Sequence, residues 1–251
     1  MCCRGCEKGL KPLAWGITGA GHFLWEVFNL MLEMRSEVQI TSFISSAAEE
    51  VIRIYGLWDM LHEISDGRRY SEVFTDQSEG ASAIHAGRLA RGDYSILVVA
   101  PATANTVAKI RHGIADTLAT NVAAQALKGG TPLLILPTDQ SETMETMLPI
   151  RVESSLCVGC QPCPAEEACS RGAFSVLGSK GVIDYLRCVG CGLCLEACSY
   201  GAVKRGEKIK VKAREVDLEN VERLREMHGV TVLRNPEELN KVLKRYLEGE
   251  L

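Results

Sequence analysis

Between Cys6 and Cys157 the chain has no cysteine at all, although its 251 residues include 11 of them. Disulfide scaffolds distribute cysteines through short secreted chains. Eight cysteines packed between positions 157 and 198 exclude that class and point to metal ligation in a reducing compartment. An excess of basic residues is also missing. Lys and Arg total 28 against 32 Asp and Glu, a formal charge of −4, whereas nucleic-acid binders usually carry a basic face. No nucleic-acid partner is expected. No apolar run approaches the ~20 residues of a spanning helix. The opening residues, MCCRGCEKGLKPLAWGITGAG, lack the hydrophobic region of a signal peptide. A cytoplasmic protein with no membrane partner is therefore expected.

What is present is an alternation. Apolar runs at 13–21, 38–45, 94–103 and 131–138 are interleaved with the stretches HFLWEVFNLMLEMR, SAAEEVIRIYGLWDML and VAKIRHGIADTLATNVAAQAL, whose apolar residues recur at helical spacing, the last interrupted at Gly113. This predicts an α/β fold, a Rossmann-like or flavodoxin-like parallel sheet with helices on both faces. Ligands of such sheets bind beyond the carboxyl ends of the strands. From about 151 to 206 the texture becomes short, cysteine-rich and glycine-rich. Helical patterning then returns. DLENVERLREMHGV has Asp217 as a predicted N-cap and Gly229 as a stop. NPEELNKVLKRYL opens on Asn235 as N-cap and Pro236 at the first helical position. This last unit is too small to fold alone. Residues 12–150 and 207–251 are expected to form one discontinuous domain, with 151–206 inserted as a second, smaller domain.

The inserted segment repeats itself. Cys157, Cys160 and Cys163 are followed after five residues by Cys169; Cys188, Cys191 and Cys194 are followed after three by Cys198. Soft thiolates at such spacing select iron–sulfur clusters or zinc. Zinc ribbons use two CxxC pairs, and a third cysteine two residues further on, twice over, argues against them. The segment resembles bacterial-type two-cluster ferredoxins, an α+β fold with two 4Fe-4S clusters. In that family the fourth cysteine of each run serves the other cluster. The resemblance implies one cluster on Cys157, Cys160, Cys163 and Cys198, and a second on Cys188, Cys191, Cys194 and Cys169. The sequence departs from the family in having Ser170 and Ser199 where proline follows the fourth cysteine, and in the longer spacer PAEEA. Cys2, Cys3 and Cys6 have no fourth partner nearby and read as free thiols at a frayed terminus.

GITGAGH (16–22) lies between the first strand and the first helix, where glycines let a phosphate approach backbone N–H groups. The full GxGxxG spacing is absent, and no acid closes the second strand to hold a ribose. That disfavours NAD and leaves a mononucleotide. GITGAGH, ISSAAEEV, PATANTVAKI and GIADTLATN follow one another as in the flavoprotein family of homo-oligomeric flavin-containing cysteine decarboxylases, which the region 13–150 resembles. That resemblance implies bound FMN. Thr18, Gly19, Ala20, Gly21 and His22 would form the first loop, Ser45 would meet the phosphate or ribityl chain, and Ala102, Thr103, Ala104, Asn105 and Thr106 would flank the ring. The decarboxylases' Pro-x-Met-Asn segment is replaced by PTDQ (137–140), which disfavours decarboxylation. Asp139 and His22 are the candidates for a catalytic proton donor. Lys109 and Arg111 read first as a solvated helix face and, as the alternative, as basic groups facing a partner's flavin phosphate or an acidic substrate; the remaining histidines read as surface or satisfied core residues.

A flavin domain carrying a ferredoxin-like insertion resembles the iron–sulfur branch of that family, the archaeal dihydromethanopterin reductases. The resemblance implies FMN and two 4Fe-4S clusters as cofactors, reduced ferredoxin or another low-potential donor as partner, dihydromethanopterin as substrate, and a homo-oligomer, a trimer or a multiple of one. The other expectation is an electron-transfer relay between ferredoxin and a protein partner, without a small-molecule substrate.

Overall fold

The computed structural model describes residues 11–250; the expectation for Cys2, Cys3 and Cys6 lies outside the described residues. Five strands of the first 137 residues, β1 (Lys11–Ile17), β2 (Val38–Ile44), β3 (Val73–Thr75), β4 (Ile96–Ala102) and β5 (Leu133–Pro137), form a sheet with one strand from near the end of the chain, Val230–Val232. Every pairing in it is parallel, and the order is β3-β2-β1-β4-β5 followed by the late strand. The order reverses between β1 and β4, so a ligand crevice is expected where the loops after those two strands part.

Period-two alternation splits the core in two. Leu13, Trp15 and Ile17 pack on one face with α1 (Leu24–Met34), α2 (Ser46–Ile54) and α3 (Trp58–Ile64). Ala14, Leu97 and Val99 pack on the other. There, past the short α4 (Asp76–Glu79) and α5 (Gly87–Ala90), they meet α6 (Ala104–Arg111) and α7 (Leu118–Gly129). The one polar atom of Trp15, buried at 0 % exposure, is satisfied by a 2.9 Å bond from its Nε1 to the Ala100 carbonyl.

Beyond the sheet, β6 (Thr143–Met147) pairs antiparallel with β11 (Lys208–Lys212), and β7 (Arg151–Val152) with β10 (Val203–Lys204). The chain thus enters and leaves the cysteine-rich segment side by side. Within it lie α8 (Pro164–Glu167), the hairpin of β8 (Phe174–Leu177) and β9 (Lys180–Ile183), and α9 (Leu193–Ala197). Ile150, Ala165, Phe174, Cys194 and Val203 give this segment its own small core. After it come α10 (Glu215–Arg225), the late strand β12 (Val230–Val232) and α11 (Pro236–Glu248).

Local structure differs from the sequence patterns at four places. SAAEEVIRIYGLWDML is two helices, because Gly56 turns the chain at φ 74°, a conformation that favours glycine. VAKIRHGIADTLATNVAAQAL, by contrast, breaks where the sequence places its interruption, at Gly113 (φ 70°), and restarts under the Thr117 cap. β3 is an edge strand of three residues, too short to leave an apolar run. Asp217 is not the N-cap of α10. The helix begins two residues earlier, and the Asp217 carboxylate accepts from the Arg214 backbone N–H and guanidinium. Nor does Gly229 end that helix, which stops at Arg225; Gly229 leads into β12 at φ 81°. Asn235 and Pro236 do open α11, with the Asn235 side chain accepting from the Glu238 N–H at 2.8 Å. Among the described residues, no helix is long and apolar enough to cross a membrane.

Candidate cofactor-binding sites

At the carboxyl ends of β1 and β4 lies a cavity of about 480 Å³, within the size range of small-molecule and cofactor sites. Thr18 joins its two main loops. Its hydroxyl donates to the Pro101 carbonyl and accepts from the Thr103 N–H, both at 2.8 Å. Gly19 presses on the first turn of α2, where a Cβ would stand 2.7 Å from that of Ala47. Three helices begin around the cavity. The Ser45 hydroxyl accepts from the Ala48 N–H, Thr103 from Thr106 and Thr117 from Thr120, capping α2, α6 and α7. Asp76 fastens two of these starts together. One carboxylate oxygen accepts from the Ser46 N–H and the other from the Leu118 N–H, each at 2.6 Å. Lys109 completes the wall, paired with Asp116 at 2.8 Å.

Of the loop and ring-flanking positions expected from sequence, the structure brings Thr18, Gly19, Ser45, Thr103, Asn105 and Thr106 to this wall. Ala20 and Ala102 are buried behind it. Ala104 is the first residue of α6, and Gly21 lies against the Tyr55 hydroxyl. Sequence reasoning missed Ser46, Ala47, Asp76 and Thr117, which also line the cavity. Thr117 had a readable signal, a Thr-x-x-Thr step before an apolar helix. Asp76, 31 residues beyond Ser45 in the chain, had none.

His22 belongs to a neighbouring cavity of about 330 Å³, with Phe23, Thr138, Gln140, Met144, Arg225 and Arg234 among its lining. Asp139 accepts from the Thr138 hydroxyl at 2.6 Å and lies close enough to His22 for its charge to favour the imidazolium. The two proton-donor candidates are thus brought together. Burial outweighs Glu26 and Asp139 and holds the His22 pKa below its usual 6.5. The unfolded chain therefore binds a proton at this position before the folded one does. The resulting penalty is absent well above pH 6.5 and grows as pH falls below it. The urea midpoint of His22→Gln is expected to fall less between pH 7.5 and 5.5 than that of the parent chain. Parallel declines would assign the acid sensitivity to other groups.

The eight clustered cysteines line two cavities. Cys157, Cys160, Cys163 and Cys198 surround one, walled by Val152, Phe174 and Val203. Cys169, Cys188, Cys191 and Cys194 surround the other, walled by Ile150, Ile183 and Leu193. The fourth cysteine of each run has crossed to the cavity of the other. The mutual influence of the thiols follows the same division. Burial pushes Cys194 up to about 11, helped by Cys188, Cys169 and Cys191. Burial likewise raises Cys160, with Cys163 and Cys198 adding to it. Among the described residues, no three His, Cys, Asp or Glu side chains converge to hold a single metal ion. Thiols set around a void suit a cluster, whose several irons each take one ligand, better than a lone zinc, which needs four donors at one point. Backbone N–H groups already donate to sulfur, from Gly181 to Cys157, Ala173 to Cys169 and Gly190 to Cys188, at 3.2–3.4 Å.

Comparison with known proteins agrees with this geometry. Residues 4–153 match the family model described as Flavoprotein, and residues 182–204 the 4Fe-4S binding domain. The chain is 42% identical over 231 residues to the dihydromethanopterin reductase (acceptor) of Methanosarcina mazei, covering 90% of this chain and 96% of the relative. It is 39% identical to the protein of the same name from Methanocaldococcus jannaschii, covering 90% and 93%. Among solved structures it resembles DmrB of Burkholderia xenovorans in complex with FMN, described as a cubic protein cage for redox transfer. The TM-score is 0.62 at 28% identity, covering 97% of this chain and 98% of that one. The chain belongs to the flavoprotein family, in the branch that joins the flavoprotein domain to a 4Fe-4S binding domain.

Proposed function

We propose that the protein is an iron–sulfur flavoprotein oxidoreductase of the cytoplasm. It uses FMN and two 4Fe-4S clusters to reduce dihydromethanopterin to tetrahydromethanopterin, with reduced ferredoxin or another low-potential protein as donor. The observation that carries this reading is the presence, on one chain, of a cavity built from three helix starts and of two cavities of four thiols each. The names of the Methanosarcina and Methanocaldococcus relatives support the substrate. The FMN complex and the cage described for the Burkholderia relative support the flavin and a closed homo-oligomer, a trimer or a multiple of one. The antiparallel β6–β11 and β7–β10 pairs support the division into a discontinuous flavin domain, 12–150 with 207–251, and a cluster domain, 151–206.

The residues of the first cavity fit a flavin mononucleotide. Asp76 occupies N–H groups of α2 and α7, which leaves the start of α6, beside Lys109, as the part suited to an anion. Gly19 and Ala47 offer a side-chain-poor wall to a flat ring. FMN, when bound, exchanges single electrons for a hydride. Thr18 fixes the β1 and β4 loops as one unit, so the ring's position is set before substrate arrives. His22, in the second cavity, with the charge of Asp139 acting on it, would supply the proton to the nitrogen of the C=N bond being reduced. Both thiol sets fit 4Fe-4S clusters, with apolar walls limiting water and N–H···S bonds supporting negative charge.

The test is anaerobic. The iron-reconstituted protein is chemically reduced, freed of reductant and mixed with dihydromethanopterin. Flavin and cluster absorbance are expected to return to the oxidised form as tetrahydromethanopterin appears in proportion to the stored electrons. A reduced spectrum unchanged by the pterin, yet discharged by an oxidised protein partner, would favour the relay instead.

A further inference from the structure

The two cysteine runs open with the same four residues, Cys157-Val158-Gly159-Cys160 and Cys188-Val189-Gly190-Cys191. Both glycines adopt positive φ, 66° and 60°, and each packs by backbone against something. What they pack against differs. Gly159 faces the Ser179 carbonyl, in the turn between β8 and β9 of its own segment. Gly190 instead faces the carbonyl of Ile54 and the backbone of Gly56, just past the end of α2. A Cβ at Gly56 would lie 2.8 Å from the Gly190 oxygen, and one at Gly190 would lie 2.5 Å from the Gly56 nitrogen. No side chain separates the two segments there. The Arg205 guanidinium donates to the Gly190 carbonyl and closes the contact from the other side.

The residues next to this contact lead to the flavin cavity. Tyr55, adjacent to Gly56, directs its hydroxyl at Gly21 and donates to the Met147 carbonyl at 2.5 Å. Gly21 follows the Thr18–Gly19 turn that lines the cavity, and the other end of α2 supplies Ser46 and Ala47 to the same wall. The nine residues of α2 span about 14 Å.

We infer that the Gly56–Gly190 contact is the electron junction between the two parts of the chain. The cavity of Cys169, Cys188, Cys191 and Cys194 is then the inner station and that of Cys157, Cys160, Cys163 and Cys198 the outer one. A cluster held by Cys169, Cys188, Cys191 and Cys194 would give one electron to a flavin across this contact and be oxidised in doing so, and one held by Cys157, Cys160, Cys163 and Cys198 would re-reduce it with an electron from the low-potential donor. The inference rests on the proposed iron–sulfur flavoprotein reading.

The test injects one electron photochemically into the loaded, oxidised protein and follows flavin and cluster absorbance. Gly56→Ala crowds the junction without touching a thiol. It is expected to slow flavin reduction at least tenfold while iron content and both cluster EPR signals persist. Gly159→Ala crowds the matching glycine of the first run and is expected to leave that step within twofold. Should Gly56→Ala lose iron or flavin, Cys191→Ser decides the matter. The outer cluster should then still give its EPR signal, with flavin reduction slowed at least tenfold. Flavin reduction at the parent rate in Gly56→Ala or in Cys191→Ser overturns the junction. Absence of flavin or iron from the parent protein would overturn the underlying reading as well.

Discussion

Replacing Cys169 with serine is expected to abolish the cluster of the second cysteine run, although Cys169 belongs to the first. Its sulfur lies in the cavity of Cys188, Cys191 and Cys194, and serine offers a hard oxygen whose proton iron does not readily displace. Anaerobically reconstituted Cys169→Ser should retain about half the iron of the parent chain, because each four-cysteine set serves one cluster. The surviving EPR signal should match that of a Cys188→Ser variant and differ from that of Cys157→Ser. If Cys169→Ser instead matched Cys157→Ser, each run would hold its own cluster and the crossed arrangement would be wrong. The burial-raised thiols make the loss severe. With burial raising Cys188 and pushing Cys194 up to about 11, these two thiols have little tendency to ionise without a full cluster to receive them.

The second large effect concerns one hydrogen atom. Gly19→Val is expected to weaken FMN binding on the order of 100-fold, about 2.8 kcal/mol. The first added carbon alone would stand 2.7 Å from the Ala47 Cβ and 3.0 Å from the Ala47 carbonyl carbon. Neither neighbour is the free end of a flexible side chain. Ala47 lies in the first turn of α2, held by the Ser45 cap and by Asp76, so the β1 loop must give way. The Thr18 bridge to Pro101 and Thr103 then moves with it. Fluorescence titration of the deflavinated protein measures the loss, with far-UV circular dichroism confirming an intact fold. Unchanged affinity would place the flavin elsewhere.

Much of this was legible in the sequence because it rests on local spacing. Continuous apolar runs between helical stretches marked the long strands, and the cysteine intervals marked the metal segment. Ser45 and Thr103 were readable as cavity residues, and in the structure they are helix caps as well, since a cap places its hydroxyl where an anion approaches. What escaped was non-local or conformational. Asp76 acts by joining helix starts at Ser46 and Leu118, a relation carried by the topology. The break at Gly56 depends on positive φ, which apolar periodicity does not encode. Asp217 carries the chemistry of a cap but serves in the first turn because Arg214 holds it there. His22 and Asp139, 117 positions apart in the chain, interact where His22 meets the Glu145 backbone of β6, and no pattern in either stretch announces the other.

The place of β12 in the sheet has a consequence for synthesis. β5 finds its outer neighbour only at residues 230–232, and Leu233, Leu239 and Leu243 of the same late segment complete the core beneath β1. A ribosome therefore delivers the whole cysteine-rich segment before the sheet can close. Until then β5 presents an open, fully apolar edge, the kind of surface on which nascent chains aggregate. A cysteine-rich segment that folded slowly would prolong the exposure of that edge, because β12 reaches β5 only after the segment has been made.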